Sequence, residues 1–66
     1  PKGVSDILGI YKGKPLAIEV KTDRGRVSDA QKDFLKRWNE EGGIGFVARG
    51  VDDVIDGLGV RDRFLF

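Results

Sequence analysis

The stretch SDILGIYKGKPLAIEVKT, Ser5 to Thr22, decides how this chain folds. Its second half alternates without a break. Leu16, Ile18 and Val20 point one way, while Ala17, Glu19 and Lys21 point the other. A period of two marks a strand with one face turned to a core. The first half, Ser5 to Tyr11, is a second run of strand type. Lys12-Gly13 between them is a turn signal, and Pro15 opens the next element. The two runs form a β-hairpin. With a loop of two residues (Lys12-Gly13) or of four (Tyr11 to Lys14), Tyr11 faces Lys14, Leu8 faces Ala17 and Asp6 faces Glu19. A three-residue loop would break that register.

Cross-strand partners share a face of the sheet, with Cβ atoms ~4.5–5.5 Å apart. Two carboxylates so placed repel each other, and the arrangement makes sense when a cation sits between them. Hard divalent ions such as Mg²⁺ take carboxylate and carbonyl oxygens plus waters, so Asp6, Glu19 and the backbone carbonyl of Val20 form a candidate ligand set. Lys21 projects from the same face two residues along, ~6.5–7 Å from Glu19. Two carboxylates, a divalent ion and an ammonium group suffice for phosphodiester hydrolysis, with the lysine orienting water or stabilising charge in the transition state. A plainer reading stands beside this one. Glu-x-Lys arises about 0.3 times by chance in a chain of this composition. Glu19 and Lys21 are then a solvent-facing pair, and Asp6 a residue that bonds locally at a strand start.

Beyond the hairpin, residues 23–27 are a loop. Ser28 has the character of a helix N-cap, with Gln31 three residues later completing a capping box. Ala30, Phe34, Leu35 and Trp38 recur at helical spacing as an apolar stripe, with Phe34 and Trp38 read as core. Asp33–Arg37, Lys36–Glu40 and Arg37–Glu41 are i,i+4 pairs. Gly42-Gly43 ends this helix. Ile44 to Ala48 follows as a short strand, buried by its composition. A strand–helix–strand unit of this length takes a right-handed crossover, so the third strand runs parallel to the second. Val51, Val54, Ile55 and Leu58 mark a second, short helix. The tail from Val60 to Phe66 has no clear assignment.

Composition narrows the chemistry. Sixty-six residues allow a single domain with a marginal core. With no cysteine and no histidine, disulfides, Cys-based zinc sites and serine–histidine triads are excluded. No apolar run approaches the ~20 residues of a membrane span. Net charge is +1, but its distribution is uneven. Residues 1–26 carry six basic and three acidic groups, whereas residues 27–66 carry six basic and eight acidic. The first part is the better surface for an anionic partner. The chain opens on Pro1 rather than Met, as a fragment or a trimmed chain would.

Ser5-Asp6, then Glu19-Val20-Lys21, then Gln31 one helix start later, resembles the PD-(D/E)XK nuclease signature. The run from Ile18 to Gln31, with Phe34, Gly42-Gly43 and Gly45 to Ala48, closely resembles its VRR-NUC (virus-type replication-repair nuclease) branch, over about Gly3 to Leu58. The resemblance implies one nuclease domain over residues 1–66 with a restriction-endonuclease-like α/β fold, a mixed β-sheet with flanking helices. It implies a Mg²⁺- or Mn²⁺-dependent DNA endonuclease without an organic cofactor, acting on branched DNA such as flaps or four-way junctions, often as a homodimer. A cytoplasmic setting in a bacterium or a phage-infected cell follows from it too. Asp6 and Glu19 resemble the metal-binding acids and Lys21 the motif lysine. Gln31 resembles a site glutamine, and its capping role stands equally beside that.

Two departures from the family pattern stand out. Ser5 replaces the motif proline. The helix and strand that open the family core, the helix often bearing a further acid, have no counterpart in residues 1–66. Either the chain is a fragment of a longer one, or a partner chain supplies the missing cover; Phe64-Leu65-Phe66 would reach across to a second subunit or pack on its own core. The same gap supports an alternative: a catalytically incomplete module of nuclease fold that binds DNA or assembles with a partner. Arg24 and Arg26, in the loop after the motif strand, together with Lys12, Lys14 and Lys32, are candidate DNA contacts of the salt-dependent, sequence-independent kind. For each lysine the alternative is a generic solubilising surface. Tyr11 has no assigned role.

Overall fold

A computed structural model of the chain describes residues 5–59, and the tail from Val60 to Phe66 lies outside them. The hairpin forms as the alternation requires. Strand β1 (Ile7–Tyr11) pairs antiparallel with β2 (Lys14–Val20), from Ile7 opposite Ile18 to Tyr11 opposite Lys14. The loop has two residues, and both Lys12 (φ 52°) and Gly13 (φ 80°) are left-handed. This is the turn whose twist matches that of the strands, and it fixes the expected register.

Helix α1 (Asp29–Glu40) starts on Ser28, and the capping box is complete. The Ser28 N–H donates to Gln31 Oε1 at 2.8 Å, and the Gln31 N–H donates to Ser28 Oγ at 3.1 Å. Of the three i,i+4 pairs expected, Asp33–Arg37 closes, at 3.1 Å. Strand β3 (Ile44–Ala48) returns beside β2 and runs parallel to it, with Glu19 opposite Val47 and Val20 opposite Ala48. Helix α2 (Val51–Leu58) completes the described chain. The sheet order is β1-β2-β3, an α/β arrangement with a mixed sheet. No helix among the described residues is long and apolar enough to cross a membrane.

The two helices cover opposite faces of the sheet. α1 lies on the face of Ala17 and Glu19, where Leu35 and Trp38 sit so close that a Cβ on Gly43 or Gly45 would crowd them. α2 lies on the other face, where a Cβ at Gly57 would fall 2.5 Å from the Phe46 ring. The core is consequently small: Ala17, Ile18, Leu35 and Ala48 are its buried apolar residues. Two expectations change. Along the α1 stripe, Phe34 and Trp38 are half-buried rather than core, stacked on each other with ring centroids 5.3 Å apart, and Ala30 is exposed. The first four residues of β3 are also only half-buried. The elements among the described residues are too few to enclose them.

Candidate active site

The strand directions gather the chemistry at one end of the sheet. The carboxyl ends of the parallel strands β2 and β3 coincide, with the Lys21 N–H donating to the Ala48 carbonyl at 3.0 Å. β1 is antiparallel, so its amino end arrives at the same place, and the crossover starts α1 there. Asp6, Glu19, Lys21 and Gln31 are thereby brought into one neighbourhood, at the carboxyl ends of strands where ligands of open α/β sheets are bound.

Glu19 is the centre. It sits under α1 with 2% of its surface exposed. Its hydrogen bond to Gln31 and its ion pair with Lys21 fall on the same carboxylate oxygen. Gln31 Nε2 donates to Glu19 Oε2 at 2.9 Å, and Lys21 Nζ lies 3.6 Å from that oxygen. Oε1 is buried and has no hydrogen-bond partner. The Gln31 amide therefore does two things at once. Its oxygen caps α1 at Ser28 and its nitrogen holds the Glu19 carboxylate. The capping role expected of Gln31 is present, and the same side chain also reaches Glu19.

Asp6 lies one residue before the β1 ladder. Its Oδ2 accepts the Val20 N–H at 3.0 Å. The N–H and carbonyl of one strand residue point to the same edge, so the Val20 carbonyl also faces the Asp6 side. Burial pushes the Glu19 carboxyl above the ordinary carboxylate range, and the Asp6 carboxylate beside it pushes the same way. The Lys21 ammonium opposes them without prevailing. Ser5, next to Asp6, is buried with its hydroxyl unpartnered.

An unpartnered, buried Glu19 oxygen next to a second carboxylate fits a hard divalent cation. Mg²⁺ in particular is held by one or two carboxylates and keeps several waters. Among the described residues no set of three acidic, histidine or cysteine side chains converges, so the oxygens on offer to such an ion are those of two carboxylates and a carbonyl.

The basic candidates divide. Arg24 and Arg26 are exposed on the loop that leaves Lys21, and Lys32 is in the first turn of α1, all at the site's end of the sheet. Lys12 and Lys14 are at the hairpin tip, roughly 16 Å from Glu19 at ~3.3 Å per residue along β2. Lys12 Nζ lies 5.5 Å above the Tyr11 ring. One important residue had no signal in the pattern. Arg49, just past β3, uses Nη1 to reach the carbonyls of Thr22 and Gly25, each at 2.7 Å, and that of Asp23 at 3.5 Å. It ties down the loop between Lys21 and the α1 cap. Only the parallel register, which lands the ends of β2 and β3 together, could have pointed to it.

Searches of the curated proteins and of the solved structures gave no match. The family model of the VRR-NUC domain matches residues 2–52, a span that contains Asp6, Glu19, Lys21, Gln31 and Arg49. With that match over most of its length, and the motif residues meeting at one end of a mixed sheet, this chain belongs to the VRR-NUC family of nuclease domains.

Proposed function

We propose that this chain is a Mg²⁺- or Mn²⁺-dependent DNA endonuclease, selective for branched duplexes such as flaps or four-way junctions and active as a homodimer. The observation that carries the reading is the Glu19 carboxylate: buried, engaged by Lys21 and Gln31 through Oε2, and left with a bare Oε1 beside Asp6. Branch selectivity and dimerisation rest on the family resemblance alone.

Asp6, Glu19 Oε1 and the Val20 carbonyl would hold the ion. When bound, it supplies positive charge that makes water a stronger nucleophile and offsets charge on the phosphate. The chain's own groups do the rest. Gln31 holds Glu19 Oε2, so the orientation of Oε1 is set before substrate arrives. Lys21 is 20% exposed and, among the described residues, pairs only with Glu19, so its remaining N–H groups can orient water or meet the charge that grows on the phosphate oxygens. Water adds to phosphorus as the bond to the leaving sugar oxygen breaks, and that oxygen leaves with a proton. Arg24, Arg26 and Lys32 offer positive charge to flanking phosphates, and Lys12 and Lys14 reach only DNA that extends past the hairpin tip.

A second reading keeps a specific support. Only two carboxylates meet among the described residues, and a catalytically incomplete module that binds DNA would look the same. Cleavage of labelled linear, flap and four-way-junction DNA with Mg²⁺, Mn²⁺ or EDTA separates the two. Metal-dependent cutting that falls at least about 10²–10³-fold in Glu19→Gln is the expected result. Unchanged cutting by Glu19→Gln overturns the nuclease assignment to this site, and salt-sensitive binding without any product favours the binding module.

A further inference from the structure

Arg49 carries an inference beyond holding the loop. Its guanidinium bonds through Nη1 to three neutral carbonyls, and among the described residues it forms no ion pair with a carboxylate. Asp53 is close, but its Oδ2 accepts the Arg49 backbone N–H at 2.8 Å rather than the side chain. Among the described residues the positive charge is therefore held in place with no carboxylate paired to the guanidinium. Nε and Nη2 make no hydrogen bond among the described residues. A guanidinium so anchored has already given up much of its rotamer freedom, so a second interaction costs it less than it would a free surface lysine.

That charge lines a cleft with company. The cleft is lined by the loop from Gly25 to Asp29, by Lys32 of α1 and by Arg49. Arg26 and Lys32 are exposed and make no side-chain bond among the described residues. Three cations against the single acid Asp29 leave the cleft at about +2, an electropositive hollow one loop away from Lys21. The start of α1 contributes little, because Ser28 and Gln31 already cap each other. The cations make the site.

We infer that the Arg26–Lys32–Arg49 cleft is a phosphodiester subsite, binding a DNA backbone phosphate that flanks the scissile one, with Arg49 as its fixed anchor. This rests on the DNA-cleaving reading of the same chain and adds Arg49 to its substrate contacts. It also gives the loop clamp a purpose: the residue that sets the loop carrying Arg24 and Arg26 would itself touch the same strand.

The test is the salt dependence of DNA binding, followed by fluorescence anisotropy in EDTA so that binding is read without cutting. The 66-residue chain is compared with Arg49→Gln, Lys32→Gln and Lys36→Gln, each checked for its fold by circular dichroism. Each phosphate that the protein neutralises adds about 0.9 to the slope of log affinity against log salt. Arg49→Gln and Lys32→Gln are each expected to flatten the slope by that amount and to weaken binding to linear and branched DNA alike by roughly tenfold at low salt. Lys36→Gln, outside the cleft, leaves the slope unchanged. A wild-type slope retained in a folded Arg49→Gln overturns the role of Arg49. If Arg49→Gln does not fold, Lys32→Gln decides, and an unchanged slope there overturns the subsite. Wild-type protein that neither binds DNA in a salt-dependent way nor cuts it shows instead that the underlying DNA reading has failed.

Discussion

The two sides of this small sheet are built to different standards. Between β2 and β3 a helix covers each face, Leu35 and Ala48 are buried, and the outer edge of β3 is occupied. There Asn39 pairs with both backbone groups of Gly45, at 2.7 and 2.9 Å, and Asp53 takes the Arg49 N–H. On β1 nothing comparable exists among the described residues. Ile7, Leu8 and Ile10 are 47%, 54% and 79% exposed, on both faces of the sheet. The site straddles this divide. Glu19, Lys21 and Gln31 belong to the covered side, whereas Asp6 arrives from the bare side and accepts a hydrogen bond from the Val20 N–H. The contrast teaches that half of the acid pair is packed in place and the other half is tethered.

The sharpest way to break this contrast is to cut into each side in turn. Leu35→Ala removes a buried side chain that meets Gly45, and such truncations cost about 2–5 kcal/mol. A chain of this size has only ~3–5 kcal/mol from its core, so urea titration should find Leu35→Ala largely unfolded. Ile10→Lys, on the exposed edge strand, should stay within ~0.5 kcal/mol of wild type. It should also reduce self-association, because edge charges block strand pairing. Equal losses from the two substitutions would mean that β1 is covered in solution.

Next in size is Gln31, the link between α1 and Glu19. Residues that orient a metal-binding side chain from behind typically contribute 10–100-fold to activity or metal affinity. Gln31→Ala should lower the cleavage rate by that factor while costing about 1 kcal/mol of stability through removal of the capping box. Gln31→Glu keeps an acceptor for the Ser28 N–H but places a carboxylate against Glu19, so it should restore the cap and not the rate. A parallel recovery of both would assign Gln31 to the helix alone.

How much of this was legible beforehand follows the same divide. The hairpin register was readable because a loop of two residues and a loop of four set the same cross-strand pairs. The parallel return of β3 was readable because a crossover has one favoured hand. The burial of Glu19 was not. Alternation marks Leu16, Ile18 and Val20 as the inner face and puts Glu19 and Lys21 outside, which is right for a sheet covered on one face only. Here α1 lies over the polar-looking face, so Ala17 and Glu19 are buried while Val20, on the apolar-looking face, is half exposed. A strand's pattern reports its own polarity and not which helix later crosses it. For the same reason Phe34 and Trp38 read as core, although the sheet is too narrow to enclose them. Arg49 acts on backbone carbonyls more than twenty residues away and Asn39 on the backbone of the strand that follows its helix, and no side-chain pattern announces either.

The smallest effect tests whether the packed half of the acid pair is held at a cost. Glu19 has its proton affinity raised in the folded chain, chiefly by burial and further by Asp6. For an acid shifted in that direction the folded state binds the proton more tightly than the unfolded one, so stability is fully present below the unfolded value and declines as pH rises through the folded one. Without metal, the ionised Glu19 should therefore weaken the fold at neutral pH. Glu19→Gln keeps an acceptor for Gln31 and removes the charge. In EDTA it should melt higher than wild type at pH 7.5, with the gap closing toward pH 4. In a domain of this size each ~1 kcal/mol reads as roughly 4–8 °C in Tm, so a gain of a few degrees is measurable. Adding Mg²⁺ should then raise the wild-type midpoint and leave Glu19→Gln in place, because the ion favours the ionised carboxylate and binds only the folded chain. A variant that melts lower than wild type in EDTA at pH 7.5 would mean that Lys21 outweighs burial at this oxygen. The buried glutamate would then be a structural ion pair rather than a site kept unsatisfied for a cation.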